Sequence, residues 1–279
     1  MSTVVVTGAG RGIGREVARA LAAEGHRLGL MARTRAELEE TQRLTGEAGA
    51  DAIAVAGSVT EPDDVERVCA QVEDRFGAVE ALVSCAAVYG PCVPFLEQDV
   101  DAWWQVLETN LRGPALLLRR LLPAMVEAGG GRVVNLSTRM AFDTTASVPF
   151  SAYGVSKGAL LRLSALLAEE LDGTGVALFD ISPGLVRTDM SAQMTGSEAW
   201  PEEAWLPASL VAGKVAALLS GAYDGLSGHF LHARDDLDAV LAAVAEDPLR
   251  RTTQLTRTGP GDPLGTGTGI ALSPARAAG

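Results

Sequence analysis

Only two lysines occur in the 279-residue chain, Lys157 and Lys214, beside three tyrosines, and Lys157 follows Tyr153 by four positions. At that spacing on a helix two side chains share a face. A phenol acts as a general acid toward a carbonyl oxygen only if its pKa comes down from about 10, and a neighbouring ammonium lowers it. The pair therefore reads as an acid/base tyrosine tuned by a cation, with a surface Tyr/Lys pair as the plain alternative. The second feature is Thr7-Gly8-Ala9-Gly10-Arg11-Gly12-Ile13-Gly14, which closes a short apolar run and opens a helical segment. Glycines let a backbone approach a pyrophosphate closely, and a helix N-terminus offers free N–H groups and the positive end of its dipole. In a chain with 31 glycines an ordinary tight turn is the alternative. Its place between the first strand and the first helix selects dinucleotide binding.

The elements that must position these residues are legible as runs. Short β-branched or apolar stretches recur at Thr3 to Thr7, Arg27 to Met31, Ala52 to Ala56, Ala81 to Ala87, Arg132 to Ser137, Val176 to Ser182 and His229 to Ala233. Segments of helical period lie between the first six, such as Gly14 to Glu24, Asp63 to Phe76, Asp101 to Met125 and Ser151 to Leu171. Strict alternation implies right-handed βαβ crossovers and a parallel sheet. Val4-Val5-Val6 is apolar without a polar alternate, as in a sheet covered on both faces. The predicted fold is α/β, a doubly wound parallel seven-stranded sheet with ligands at the carboxyl ends of its strands.

At the end of the second strand, where a protein selecting NAD places Asp or Glu against the ribose hydroxyls, stands Ala32. Arg33 follows and Arg11 lies in the glycine turn, so two guanidiniums are predicted to converge on a 2′-phosphate with no carboxylate to repel it. The cofactor expected is NADP(H).

With 23 basic and 35 acidic side chains the net charge is −12, which disfavours nucleic acid and anionic lipid surfaces as partners. Cys69, Cys85 and Cys92 are odd in number and lack a C-x-x-C pair, so neither a disulfide framework nor a zinc site is expected. His26, His229 and His232 show no ligand spacing, and no metal is predicted. A reducing, cytoplasmic compartment and the absence of a signal peptide or membrane segment complete the expectation, since Arg119 and Arg120 interrupt the most apolar stretch.

TGAGRGIG, Asn110 within TNLRGP, NLST, YGVSK and PGLVRT occur in this order, and over residues 3 to 233 the chain resembles the short-chain dehydrogenase/reductase family. The resemblance implies a single Rossmann-type domain over 1–234, followed at 235–279 by a C-terminal helix and a Gly/Thr/Pro-rich tail. It implies that Tyr153 is the acid/base, that Lys157 binds the nicotinamide ribose and lowers the tyrosine's pKa, and that Asn110 holds a water in a proton relay. Gly8, Gly10, Arg11, Gly12, Ile13 and Gly14 would line the phosphates, with Arg33, Ser58, Val59 and Ala86 toward the adenosine. Pro183, Gly184, Val186 and Thr188 would seat the nicotinamide. The activity implied is interconversion of a ketone and a secondary alcohol on a small or medium, mainly apolar substrate. A nucleotide-sensing binding protein and a non-redox dehydratase or epimerase are the other readings, and a homodimer or homotetramer is implied.

The chain departs from the family pattern at three places. The serine that orients the substrate carbonyl is replaced: counting from Asn135 selects Thr138, counting back thirteen from Tyr153 reaches Met140, and Ser137 is the competing hydroxyl. Thr138 is preferred because a threonine hydroxyl donates the same hydrogen bond. Ser58 stands where an aspartate commonly grips the adenine amine, and Ser84-Cys85-Ala86-Ala87 replaces Asn-Asn-Ala-Gly, with Cys85 read as core. Trp103 and Trp104 read as packing or subunit contacts. Asp189 to Leu206, with Met190, Met194, Trp200 and Trp205, reads as a mobile lid with apolar contacts or as a surface helical hairpin.

Overall fold

The computed structural model describes residues 1–142, 150–194 and 200–246. The Thr252 to Gly279 tail and residues 195–199 of the predicted lid lie outside them.

In chain order the strands are β1 (Thr3–Thr7), β2 (Arg27–Ala32), β3 (Ala52–Ala56), β4 (Ala81–Ser84), β5 (Gly131–Leu136), β6 (Val176–Ser182), β7 (Leu185–Val186), β8 (Trp205–Leu206) and β9 (Phe230–His232). The helices are α1 (Gly12–Ala23), α2 (Arg35–Glu47), α3 (Pro62–Phe76), α4 (Val100–Leu107), α5 (Gly113–Glu127), α6 (Ser151–Glu170), α7 (Ala208–Leu219) and α8 (Leu237–Glu246). Seven strands form one parallel sheet, as predicted, and their order is β3-β2-β1-β4-β5-β6-β9. The order reverses between β1 and β4, the switch point at which such sheets open a crevice.

Alternate residues of β1 serve opposite layers. Val4 and Val6 pack in the cluster containing α1 and α7, whereas Val5 packs with α3 and α5. Both layers are apolar, so the strand shows no polar face in sequence. Gly29 in β2 lets α3 press onto the sheet, because a Cβ there would lie 2.3 Å from Val72 Cγ2. Arg132 in β5 donates to both carboxylate oxygens of Asp224 at 2.8 and 2.7 Å, fastening the turn that precedes β9.

Three local differences from the sequence reading bear on the site. The helix predicted over Asp101 to Met125 is two helices joined by a π turn, Glu108–Arg112, with Asn110 inside it. Turns of that kind insert a residue and re-aim a side chain. β4 ends at Ser84 rather than Ala87, because the next two N–H groups, of Cys85 and Ala86, leave the ladder and donate to Thr7 Oγ1, both at 3.2 Å. Among its described residues, the segment from Asp189 to Leu206 shows no helical hairpin: short 3-10 turns lie at Ser191–Gln193 and Glu202–Ala204, and it ends in β8, which pairs in parallel with β7.

Candidate active site

The glycine turn sits at the end of β1. Gly8 has φ +63°, and a Cβ on it would stand 2.8 Å from Ala86 N. A Cβ on Gly14 would lie 2.2 Å from Gly8 O, and Gly12, at φ +56°, faces Thr188 Cγ2. The first turn of α1 carries no side-chain cap, which leaves its N–H groups for an anion. Ile13 packs against the core behind it. The turn is braced by two residues that motif reading does not mark. Thr41 Oγ1 donates to Ala9 O at 2.9 Å, and the Arg15 guanidinium donates to Gly10 O.

Near the end of β2, where the adenosine is expected, lies a carboxylate that the sequence reading excluded. Glu37, in the first turn of α2, lies against Gly10, with its Oε1 3.9 Å from Arg11 Nη1. Inspection of the end of β2 alone misses it, because the following helix folds back over the glycine turn. Arg11 also donates to Asp189 Oδ2 at 2.6 Å, so it is already paired, whereas Arg33 is exposed and has no ion-pair partner among the described residues. Ser58 accepts from Thr60 N through its hydroxyl, and its own N–H donates to Asp64 Oδ2 at 2.8 Å. That N–H and the Arg67 guanidinium hold the Asp64 carboxyl below its ordinary range. Val59 is buried against Gly113.

The groups expected to do chemistry converge at the ends of β4, β5 and β6. Lys157 is 2% exposed and donates to Leu136 O at 2.6 Å, so one of its three N–H groups is engaged. Burial pulls its pKa down to about 8, against the charge of Asp180. Tyr153 lies one turn earlier, buried, with the Tyr89 ring edge-on at 4.5 Å. Burial and the Tyr89 phenol push the Tyr153 pKa up. The lowering expected from Lys157 therefore does not govern this phenol. Its surroundings are aromatic and apolar, which penalise the phenolate.

Thr138 is partly buried and accepts from Met140 N at 3.2 Å, capping a short 3-10 turn, and its own O–H has no acceptor among the described residues. Ser137 is buried beneath the strand end, and its hydroxyl has no partner among the described residues. The two candidates thus point to different environments, and Thr138 is the one nearer solvent. Asn110 is fully buried: its Nδ2 donates to Val88 O at 2.8 Å and to Ser156 Oγ at 3.0 Å, and its Oδ1 accepts from Val88 N at 2.8 Å. That leaves one lone pair of its amide for the expected water. The side chain acts first as a clamp on the segment following β4, and Ser156 passes the contact on to Tyr153 O at 2.8 Å.

Over Tyr153 lies an apolar cluster that motif reading missed. Phe150 and Met194 are buried there, with Tyr89, Cys92, Met140 and Trp200 packed against them. Tyr89 stacks on Phe150 at 5.1 Å and donates to Met194 Sδ at 3.2 Å. Trp205 anchors the overlying segment through Trp200, at 5.9 Å, and through the Arg187 guanidinium, 4.4 Å above its ring. Below, Gly184 at φ +71° fits close to Leu206, and Val186 is buried in β7. Thr188 is tied to Ser191 through a reciprocal pair of backbone-to-hydroxyl bonds, at 2.8 and 3.1 Å. Cys85 is partly buried against the core, and burial raises its thiol to about 12. Trp103 packs between Phe95 and Trp104 and donates to Ser151 Oγ at 3.1 Å.

These residues fit a nicotinamide dinucleotide. The cradle at Gly8 and Gly14 is one that a Cβ would fill, the helix behind it is uncapped, and Lys157 offers a buried ammonium with two donors unspent.

Comparison with known proteins gives matches over nearly the same span. The family model described as "short chain dehydrogenase" matches residues 2–199. The chain is 35% identical over 259 residues to a short chain dehydrogenase of Pseudocercospora fijiensis, a match covering 86% of this chain and 82% of that one. The crystal structure of a 3-ketoacyl-ACP reductase from Sinorhizobium meliloti 1021 superposes with a TM-score of 0.76 at 27% identity, over 82% of this chain and 96% of that chain. An actinorhodin polyketide ketoreductase variant with NADPH superposes with a TM-score of 0.77 at 30% identity, over 83% and 95%.

Proposed function

The chain belongs to the short-chain dehydrogenase family, and from that premise we propose that it is an NADP(H)-dependent oxidoreductase interconverting a ketone and a secondary alcohol on a small or medium, mainly apolar substrate. The observation that carries this reading is Tyr153, set at the floor of an aromatic and methionine-lined cluster, with the Lys157 ammonium on the same helix. When bound, the nicotinamide cofactor exchanges the hydride with the carbonyl carbon. Tyr153 exchanges the proton with the carbonyl oxygen, and its raised pKa keeps it in the donating form at neutral pH. Thr138 donates a hydrogen bond to that oxygen, and Lys157 binds the ribose and faces the phenol with positive charge. Asn110 holds the segment after β4 in place and lends its remaining lone pair to the relay water.

Gly8, Gly10, Gly12, Ile13 and Gly14 carry the phosphates, Pro183, Gly184, Val186 and Thr188 the nicotinamide, and Ser58, Val59 and Ala86 the adenosine side. Preference for NADP rests on Arg33, free to meet a 2′-phosphate, with Arg11 shared between that task and its two carboxylates. The apolar character of the substrate rests on Tyr89, Phe150, Met194 and Trp200. Residues 1–234 form the catalytic domain, α8 packs Leu237, Val240 and Val244 into its core, and the tail from Thr252 is an appendage.

A homodimer or homotetramer is part of the proposal. Phe95, Leu96, Val100 and Trp104 on and beside α4, and Val155 and Leu166 on α6, are exposed apolar side chains that a second copy would cover, and light scattering tests it. Among the described residues no helix is long and apolar enough to cross a membrane, and a cytoplasmic site of action is proposed with the free thiols Cys69, Cys85 and Cys92. The test of function is absorbance of the reduced nicotinamide against a panel of ketones and alcohols. Net consumption or production supports the reading. None over an apolar panel would return the chain to the binding or non-redox alternatives.

A further inference from the structure

Among the described residues, Lys157 and Asp180 are the only buried side chains of the Lys, Arg, Asp and Glu types. They face the same layer of the protein. Asp180 pairs in register with Asn135 across β5 and β6, and Asn135 Nδ2 donates to Ser164 Oγ of α6 at 3.0 Å. Lys157, also on α6, donates to the carbonyl of Leu136, the residue next to Asn135. The carboxyl is thus placed in the sheet beneath the helix that carries the lysine. Its Oδ1 has no hydrogen-bond partner among the described residues, and neither has Asn135 Oδ1. Buried charges are ordinarily paired, and an unpaired one carries a heavy desolvation penalty. On this face of β6 the inward residues before it, Val176 and Leu178, are apolar, and the buried polar positions are Asp180 and Ser182 at the carboxyl end of the strand, toward the site.

We propose that Asp180 is a positioning residue for Lys157: from the strand beneath, its carboxyl couples to the ammonium and keeps it protonated and oriented as pH rises. This rests on the role given above to Lys157. Burial raises Asp180 to about 8 and lowers Lys157 to about 8, so the two groups titrate in one range. Each charge opposes its partner's shift, and two groups so coupled lose protons as a pair. Asp180 gives up its proton first because the ammonium favours the carboxylate, and the carboxylate then holds the second proton on Lys157. The other groups facing the pair are the Cys85 thiol from the segment after β4 and the Ser164 hydroxyl of α6, and with the thiol raised to about 12 neither is charged at neutral pH.

Two measurements test it. The first needs no substrate or cofactor. The infrared carboxyl stretch of Asp180, identified by its loss in Asp180→Asn, is followed against pH in the wild type and in Lys157→Met. Removing the ammonium is expected to move the carboxyl titration to higher pH by about one unit or more. Identical titrations overturn the proposal even if the chain proves an active dehydrogenase. Should Asp180→Asn fail to fold, the band is recognised as the one that moves on Lys157→Met, and a spectrum with no moving band overturns the proposal as well. The second is the pH profile of kcat/KM for carbonyl reduction. Asp180→Asn is expected to pull the alkaline limb down by about one unit, a loss of about fivefold at the wild-type midpoint that approaches tenfold above it, while Asp180→Glu restores most of it. A uniform loss at every pH would assign Asp180 a merely structural part and refute the coupling.

Discussion

Adding one methyl group to Gly14 tests the phosphate cradle most directly. Its Cβ would lie 2.2 Å from Gly8 O, 2.8 Å from Gly8 C and 3.2 Å from Ala9 Cα, all backbone atoms of the same turn. Favourable carbon contacts begin at about 3.5 Å, so the turn must retreat by roughly 1 Å. It has little room to do so, because Gly8 is packed against the Ala86 backbone, and Ala9 O accepts from Thr41. Overpacking of this kind destabilises by about 1–3 kcal/mol, which for a domain of this size lowers Tm by roughly 2–10 °C. Displacement of the N–H groups that face the pyrophosphate is expected to weaken NADPH binding at least tenfold, a loss of about 1.4 kcal/mol. Gly213 provides the control. It lies exposed within α7 and a Cβ there meets nothing within 4 Å, so Gly213→Ala should stabilise by about 0.5–1 kcal/mol with cofactor affinity unchanged. Differential scanning fluorimetry and titration of NADPH fluorescence read both variants. Wild-type affinity in Gly14→Ala would refute the placement of the dinucleotide on this turn.

Tyr153→Phe should abolish turnover while leaving NADPH affinity within about threefold of wild type, since the ring and its packing on Tyr89 remain; retained turnover in steady-state assays would sink the assignment of the acid/base. Arg33→Ala and Glu37→Gln should move the ratio of NADP to NAD affinity in opposite directions, down about tenfold for the loss of a charge-assisted bond and up for the loss of the carboxylate beside Arg11; equal ratios in both variants by calorimetry would discard the NADP reading. For Asp180 the folded-state pKa lies above the unfolded one, so its contribution to stability is present below the unfolded value near 3.8 and is lost as pH rises through about 8. The Tm of Asp180→Asn relative to wild type should accordingly climb between those limits, and a flat difference in thermal melts would contradict the buried carboxyl. Deleting Thr252 to Gly279 should leave folding and cofactor affinity unchanged; loss of the oligomer by light scattering would make the tail structural.

The sequence by itself determined the fold and the backbone shape of the glycine turn. Runs such as Val4-Val5-Val6 are apolar on both faces, and their alternation with helical segments admits only a covered parallel sheet. Gly8, Gly12 and Gly14 follow from the same local logic, because φ above zero or a contact under 3 Å leaves glycine alone. Tyr153 and Lys157 were legible because α6 fixes their spacing without help from the rest of the chain. What tertiary structure alone decided are the contacts between elements remote in sequence. Glu37 reaches Gly10 and Arg11 only when α2 folds back on the glycine turn. Asn110 becomes a clamp only where the π turn aims it at Val88, and Thr7 ends β4 by taking two N–H groups 78 and 79 positions away. Tyr89, Phe150 and Met194 meet over Tyr153 from three separate segments, and Asp180 comes beneath Lys157 only through the register of β5 with β6. Periodicity records which face a residue turns inward. It carries no record of which distant residue it will meet there, since that is set by the packing of whole helices against the sheet.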